Sequence, residues 1–155
     1  MTNPVTRHGY DKLMEELSYL SKTMRLVIAK EIEAARGFGD ISENAEYQCA
    51  KERQGLNELK IEKLQNFLSD ASIVEPPRSQ PDRVVFGVPI KMRNLDTDEE
   101  RVLTIVGETE SDVRAGKISY KSPMGKEMIG KSPGEDIEIE TPRGEQYWEV
   151  LEIQF

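Results

Sequence analysis

The densest group of reactive side chains is Asp40-Ile41-Ser42-Glu43-Asn44-Ala45-Glu46, where three carboxylates fall within seven residues. Carboxylates bind hard cations and move protons. At Asp-x-x-Glu spacing Asp40 and Glu43 share one side of a helix start, with Cβ atoms roughly 5 to 6 Å apart, so both could touch one cation. The partial positive charge of a helix N-terminus favours their ionised, metal-binding forms. The same spacing before an apolar-periodic run is also a capping box, with Asp40 as cap and Glu43 at the third helical position, and spacing alone favours the cap. Two carboxylates make a poor isolated metal site, because Mg²⁺ held this way shares its shell with water and substrate phosphates; further ligands would have to come from elsewhere. Arg36 and Lys51 flank the acids and by themselves read as surface charges near helix termini. Glu46 suits surface pairing or support of the segment, Tyr47 suits packing, and Cys49, with no evident basic partner, reads as an inert helix residue.

These residues lie where two helical patterns meet. From Tyr10 to Arg36 apolar residues recur at three-to-four spacing (Leu13, Leu17, Leu20, Met24, Val27 and Ile28, Ile32, Ala35), which predicts one amphipathic helix about 40 Å long that ends where Gly37 and Gly39 supply left-handed or irregular backbone. A second seam, Tyr47, Ala50, Gln54, Asn57, Ile61, Leu64, Leu68 and Ala71, has heptad spacing with two polar members. The short connection makes the two helices antiparallel, with Asp40 and Glu43 at the tip of the hairpin. The three prolines of Glu75-Pro76-Pro77-Arg78-Ser79-Gln80-Pro81-Asp82 cannot continue a helix and read as a linker. Beyond it the period falls to two. Strands are expected at 84–92, 101–106, 117–121, 136–141 and 147–155, with a short helix after Ser122 as cap and Pro123 at the first position. The fold class is therefore α+β: an antiparallel coiled-coil hairpin over residues 1–75, a Pro-rich linker at 76–83, and a small, mostly antiparallel sheet with a short helix over 84–155.

Composition removes several classes of function. The 155 residues carry a net charge of -8, shared as -3 over residues 1–75 (10 basic, 13 acidic) and -5 over 76–155 (11 basic, 16 acidic), which disfavours a free-standing nucleic-acid binder. Cys49 is the only cysteine and His8 the only histidine, so there is no internal disulfide, no Cys/His zinc site and no Ser-His-Asp triad. His8 reads as an exposed ring and Trp148 as a strand aromatic filling the small domain. No apolar run approaches the roughly 18 residues of a membrane span, and the first residues lack the apolar core of a signal peptide, so the expected place is the cytoplasm.

Gly39-Asp40-Ile41-Ser42-Glu43-Asn44-Ala45-Glu46-Tyr47, followed by Ala50-Lys51-Glu52 and Gln54-Gly55, closely resembles the tip signature of the bacterial Gre transcript cleavage factors. The resemblance continues through Val85-Phe86-Gly87, Ile105-Val106-Gly107-Glu108, Gly116-Lys117-Ile118-Ser119-Tyr120, Ser122-Pro123, Ile129-Gly130-Lys131 and Thr141-Pro142-Arg143-Gly144, and so covers the whole chain. It implies a coiled coil joined to an FKBP-like domain, in a monomer that docks on RNA polymerase and passes the coiled coil down the secondary channel. It also implies that Asp40 and Glu43 hold Mg²⁺ jointly with the polymerase active site, none being bound by the isolated chain. A backtracked nascent RNA is then cleaved near its 3′ end, and DNA is met only through the elongation complex. By the same resemblance Arg36 and Lys51 touch the extruded RNA, and Ser122, Pro123 and Met124 dock on the polymerase. Residues 36–53 hold three basic and four acidic side chains, which favours the GreA branch over the GreB branch with its extended basic patch. Two departures stand out: Gly37-Phe38-Gly39, where a bulky-His-Gly run is commoner, and Gly125-Lys126-Glu127-Met128, where an Ala-Arg-x-Leu-like segment is usual. Two other classes stay open: an interaction protein that occupies the channel without promoting cleavage, and a prolyl isomerase chaperone, against which the sparse aromatics (6%) argue.

Overall fold

A computed structural model describes residues 2–37 and 44–155, and the chain divides into two compact units: Tyr10–Ala71, and Thr2–Gly9 together with Ser72–Phe155. In the first unit the expected helix is a composite. Helix α1 (Arg7–Ser18) runs into a π-helical segment, Tyr19–Met24, and continues as α2 (Arg25–Arg36); it faces α3 (Ala45–Ser69).

The π segment has a cause in the sequence. The seam of α3 alternates threes and fours, whereas the buried or half-buried positions opposite it include Leu20, Met24, Ile28 and Ile32, three successive steps of four. Each such step in an α-helix overshoots a full turn by about 40°, so three would carry the stripe about 120° off the facing helix. A π turn, whose hydrogen bonds reach the fifth residue, absorbs about one extra residue, close to that overshoot. Ile28, Ile32 and Ala35 are consequently buried while Val27, expected in the stripe, stays 41% exposed. Ile28, Ile32 and Ala50 form the core here, with Met24 and Tyr47 packed against it. Arg25 is paired with Glu58 at 2.7 and 2.8 Å, and Arg53 with Glu31, across the hairpin.

In the second unit a five-stranded sheet has the order β5-β4-β3-β7-β6, built from β3 (Pro89–Asn94), β4 (Glu100–Val106), β5 (Lys117–Ser119), β6 (Asp136–Thr141) and β7 (Gly144–Ile153). The pairs β3/β4, β3/β7 and β6/β7 are antiparallel, but β4/β5 is parallel, because residues 107–116 cross over through two 3₁₀ turns and re-enter the sheet in the direction they left. The sheet is thus mixed at one edge. Helix α4 (Pro123–Met128) contributes Met128 to a core with Ile90, Met92, Ile105, Ile137, Ile139, Trp148 and Val150. The first expected strand begins five residues late: Val84 instead pairs its backbone with residues 130 and 131.

The expected bounds of 76–83 for a linker and 84–155 for the domain are also drawn differently. Short strands β1 (Asn3–Val5) and β2 (Ala71–Ile73) pair, Val5 is fully buried, and Gln80 donates to the Ile153 carbonyl at 3.1 Å. Glu110 holds the N-terminal segment: its carboxylate accepts from the Thr6 N–H and the Gly107 N–H, both at 3.0 Å, and from the Thr6 hydroxyl. Thr6 Oγ1 in turn accepts from the Gly9 N–H at 3.1 Å, the bond of a helix cap. A Cβ on Gly9 would come within 2.2 Å of the Glu110 carboxylate, so glycine is what lets the helix start approach it.

Candidate functional site

Helix α3 begins at Ala45, and its N-cap is Asn44, whose Oδ1 accepts from the Tyr47 N–H at 3.1 Å. The expectation that Asp40 fills this position is corrected by four residues. Asn can do more here than Asp, because its amide is both acceptor and donor: Nδ2 donates to the carbonyl of Ala35 in the last turn of α2. One side chain thus ties together the two helix ends from which residues 38–43 depart. Asp40 and Glu43 themselves lie outside the described residues. Helix α2 ends at Arg36, where the glycines were expected to stop it; Gly37 has right-handed backbone (φ -72°, ψ -9°), Gly39 lies outside the described residues, and the Gly37 N–H reaches the Ala34 carbonyl at 3.1 Å.

The basic residues are placed separately. Arg36 is exposed, with its guanidinium 5.9 Å from the centre of the Tyr47 ring, a cation–π contact that gives it a defined position at the hairpin end. Lys51, exposed on α3, donates to Gln54 Oε1 at 3.0 Å. Glu46 stands in the first turn of α3 and lines an open hollow of about 320 Å³ with Glu31, Ala34, Ala35, Cys49, Ala50 and Arg53. Cys49 is an exposed free thiol. Among the described residues no three His, Cys, Asp or Glu side chains come together as a metal site.

In the second unit Ser122 caps α4, accepting from the Gly125 N–H at 3.0 Å and donating to the Ser119 carbonyl at 2.6 Å. Pro123 takes the first helical position and is exposed, while Met124 is half-buried against the core. A Cβ at Gly125 would fall 2.3 Å from the Ser119 carbonyl oxygen, so this glycine lets the helix lie directly on the end of β5. Beside Pro123 an open groove of about 630 Å³ is lined by Lys126, Glu127, Glu138, Ile139 and Glu140. Its acidic wall is a cross-strand array in which Glu138 faces Tyr147 and Glu140 faces Glu145. The negative charge of Glu145 holds the Glu138 carboxyl above its ordinary value, and the hydrogen bond to Glu145 raises the Tyr147 phenol.

Sequence reasoning missed Asn44 as the joint of the two helices and Glu110 as the anchor of the N-terminus. A capping residue directly before the Tyr47 seam was a usable signal for the first. For the second there was none, since Thr6 and Glu110 are 104 residues apart.

Two family descriptions match the chain: "Transcription elongation factor, N-terminal" over residues 3–73 and "Transcription elongation factor, GreA/GreB, C-term" over residues 79–155. Transcription elongation factor GreA of Helicobacter pylori (strain ATCC 700392 / 26695) is 44% identical over 152 residues, covering 98% of this chain and 93% of the relative. The GreA of Orientia tsutsugamushi (strain Boryong) is also 44% identical over 152 residues, covering 98% and 96%. Among solved structures, GreA factor homolog 1 of Thermus thermophilus aligns over the whole of both chains at 24% identity, but its TM-score of 0.44 adds nothing to these matches.

Proposed function

Because the chain belongs to the GreA/GreB transcription elongation factor family, matched over nearly its whole length, we propose that it is a catalytic cofactor of RNA polymerase and not an enzyme by itself. Its hairpin enters the secondary channel and stimulates the polymerase's own cleavage of backtracked nascent RNA, releasing short 3′ fragments and rescuing arrested complexes. The observation that carries this reading is the sequence Gly39–Tyr47, which falls within the family-matched segment 3–73.

The donor set suits Mg²⁺: Asp40 and Glu43 offer hard carboxylate oxygens, and the N-cap of α3 is Asn44 and not Asp40. These two residues would hold the ion together with polymerase ligands. When bound, Mg²⁺ supplies charge stabilisation at the phosphate and an acidified water. The chain's own part is delivery. The Asn44 joint fixes the ends of the segment that carries the acids, and Arg36, held over Tyr47, and Lys51 offset the charge of the RNA backbone. Ser122, Pro123 and Met124, beside the groove between α4 and β6, dock on the polymerase. The setting is the cytoplasm, and the chain acts as a monomer.

The test is incubation with a stalled, backtracked bacterial elongation complex and Mg²⁺, with RNA length read on a gel. Shortening of the transcript only when protein and polymerase are both present is the expected result. An unchanged RNA at saturating protein would remove the proposal.

A further inference from the structure

The first helix carries two competing inward frames. An uninterrupted heptad from Leu17, Leu20 and Met24 continues to Val27, Glu31 and Ala34; the frame observed after the π segment is Ile28, Ile32 and Ala35. The two differ by one residue, which is about 100° of rotation for everything beyond Met24. At this crossover sits one of two buried polar side chains among the described residues: Asn57, 6% exposed between the seam residues Gln54 and Ile61, donates from Nδ2 to the Leu20 carbonyl at 3.1 Å. That carbonyl belongs to the π segment itself.

We propose that Asn57 is a positioning residue: its amide, by binding the Leu20 carbonyl, pins the π segment at Tyr19–Met24 and so selects the Ile28 frame. A buried amide with one partner in reach fixes register because every displaced arrangement leaves it unsatisfied, whereas apolar neighbours accept several arrangements about equally. The consequence lies at the other end of α2. In the selected frame Arg36 lies over the Tyr47 ring; rotation by one residue takes it off that ring. This deepens, and rests on, the reading of the hairpin as the part that is delivered to polymerase, since Arg36 is its proposed RNA contact.

The experiment uses the full chain with Cys49→Ser and spin labels at exposed Glu33 and Lys63, one beyond the π segment and one on α3. With Asn57 present one narrow distance is expected. Asn57→Leu should keep the melting temperature within ~3 °C, since a buried polar group is often replaced by an apolar one without loss, yet add a second distance shifted by ~5 Å or more. Should the Leu variant melt lower than that, Asn57→Gln, which keeps an amide donor, must give back the single distance. A single unchanged distance in Asn57→Leu, or no recovery in Asn57→Gln, overturns the proposal. Stimulated cleavage by Asn57→Leu should fall at least ~5-fold with polymerase binding retained; unchanged cleavage beside a split distance would overturn the functional half. An unmodified protein that fails to stimulate cleavage would remove the polymerase reading and leave the distance result standing.

Discussion

Asn44 shows how one side chain can serve two helices: it caps α3 through Oδ1 and holds the end of α2 through Nδ2. Asn44→Asp keeps the acceptor and loses the donor, while Asn44→Ala loses both. Removing the cap is expected to cost about 0.5 to 2 kcal/mol of hairpin stability in the Ala variant, with Asp between Ala and the unmodified chain; amide hydrogen exchange of the first turn of α3 measures it. Equal protection in Ala and Asp variants would mean that the cap bond contributes nothing. Glu58, on α3, and Glu138, on β6, give opposite pH responses. Arg25, bonded to Glu58, holds that carboxyl below its ordinary 4.5, so its contribution is present above that value and is lost as pH falls through the lowered one. Glu138, held above 4.5 by Glu145, contributes most below 4.5 and loses this as pH rises through its raised value. Glu138→Gln should therefore raise the melting temperature at pH 7, leave it unchanged at pH 4, and lose its effect in high salt because the group is exposed. A gain of equal size at both pH values would contradict this account.

At the scale of elements, α3 was the most legible part of the chain, because its seam keeps strict heptad spacing from Tyr47 to Leu68 and each of these residues is buried or half-buried, whereas Ala71, expected to end the seam, opens β2. The first helix was legible as a helix but not as a composite. Counting threes and fours together hides the run Leu20-Met24-Ile28-Ile32, whose three fours are what a π turn accommodates. The start of α3 was misplaced because Asp40, Ser42 and Asn44 are all competent caps, and a contact with Ala35, outside the local sequence, decides among them. Strands β6 and β7 were readable from alternation. The three-residue strands β1 and β2 were not, since so short a segment has no period and its partner is distant in sequence. The two acids that carry the proposed chemistry were found from sequence alone and lie outside the described residues.

For the whole molecule, the division at Ala71/Ser72 gives residues 2–9 to the sheet-bearing unit through Glu110 and the β1/β2 pair. All buried members of the sheet core nevertheless lie between Val84 and Ile153. A fragment of residues 84–155 should therefore melt cooperatively, but below the intact chain's corresponding transition; circular dichroism on heating reads both, and a fragment without a transition would show that the N-terminal segment completes the fold. The central claim concerns what the hairpin delivers, and its most direct measurement is the cleavage rate of backtracked RNA in Mg²⁺ with Asp40→Asn, at protein concentrations that saturate polymerase. Asparagine keeps the size and hydrogen-bonding capacity of the side chain and removes the charge that a metal ligand needs. The account predicts a rate nearly as low as that of Asp40→Ala, with helix content and polymerase binding unchanged. Cleavage by Asp40→Asn at the unmodified rate would contradict it.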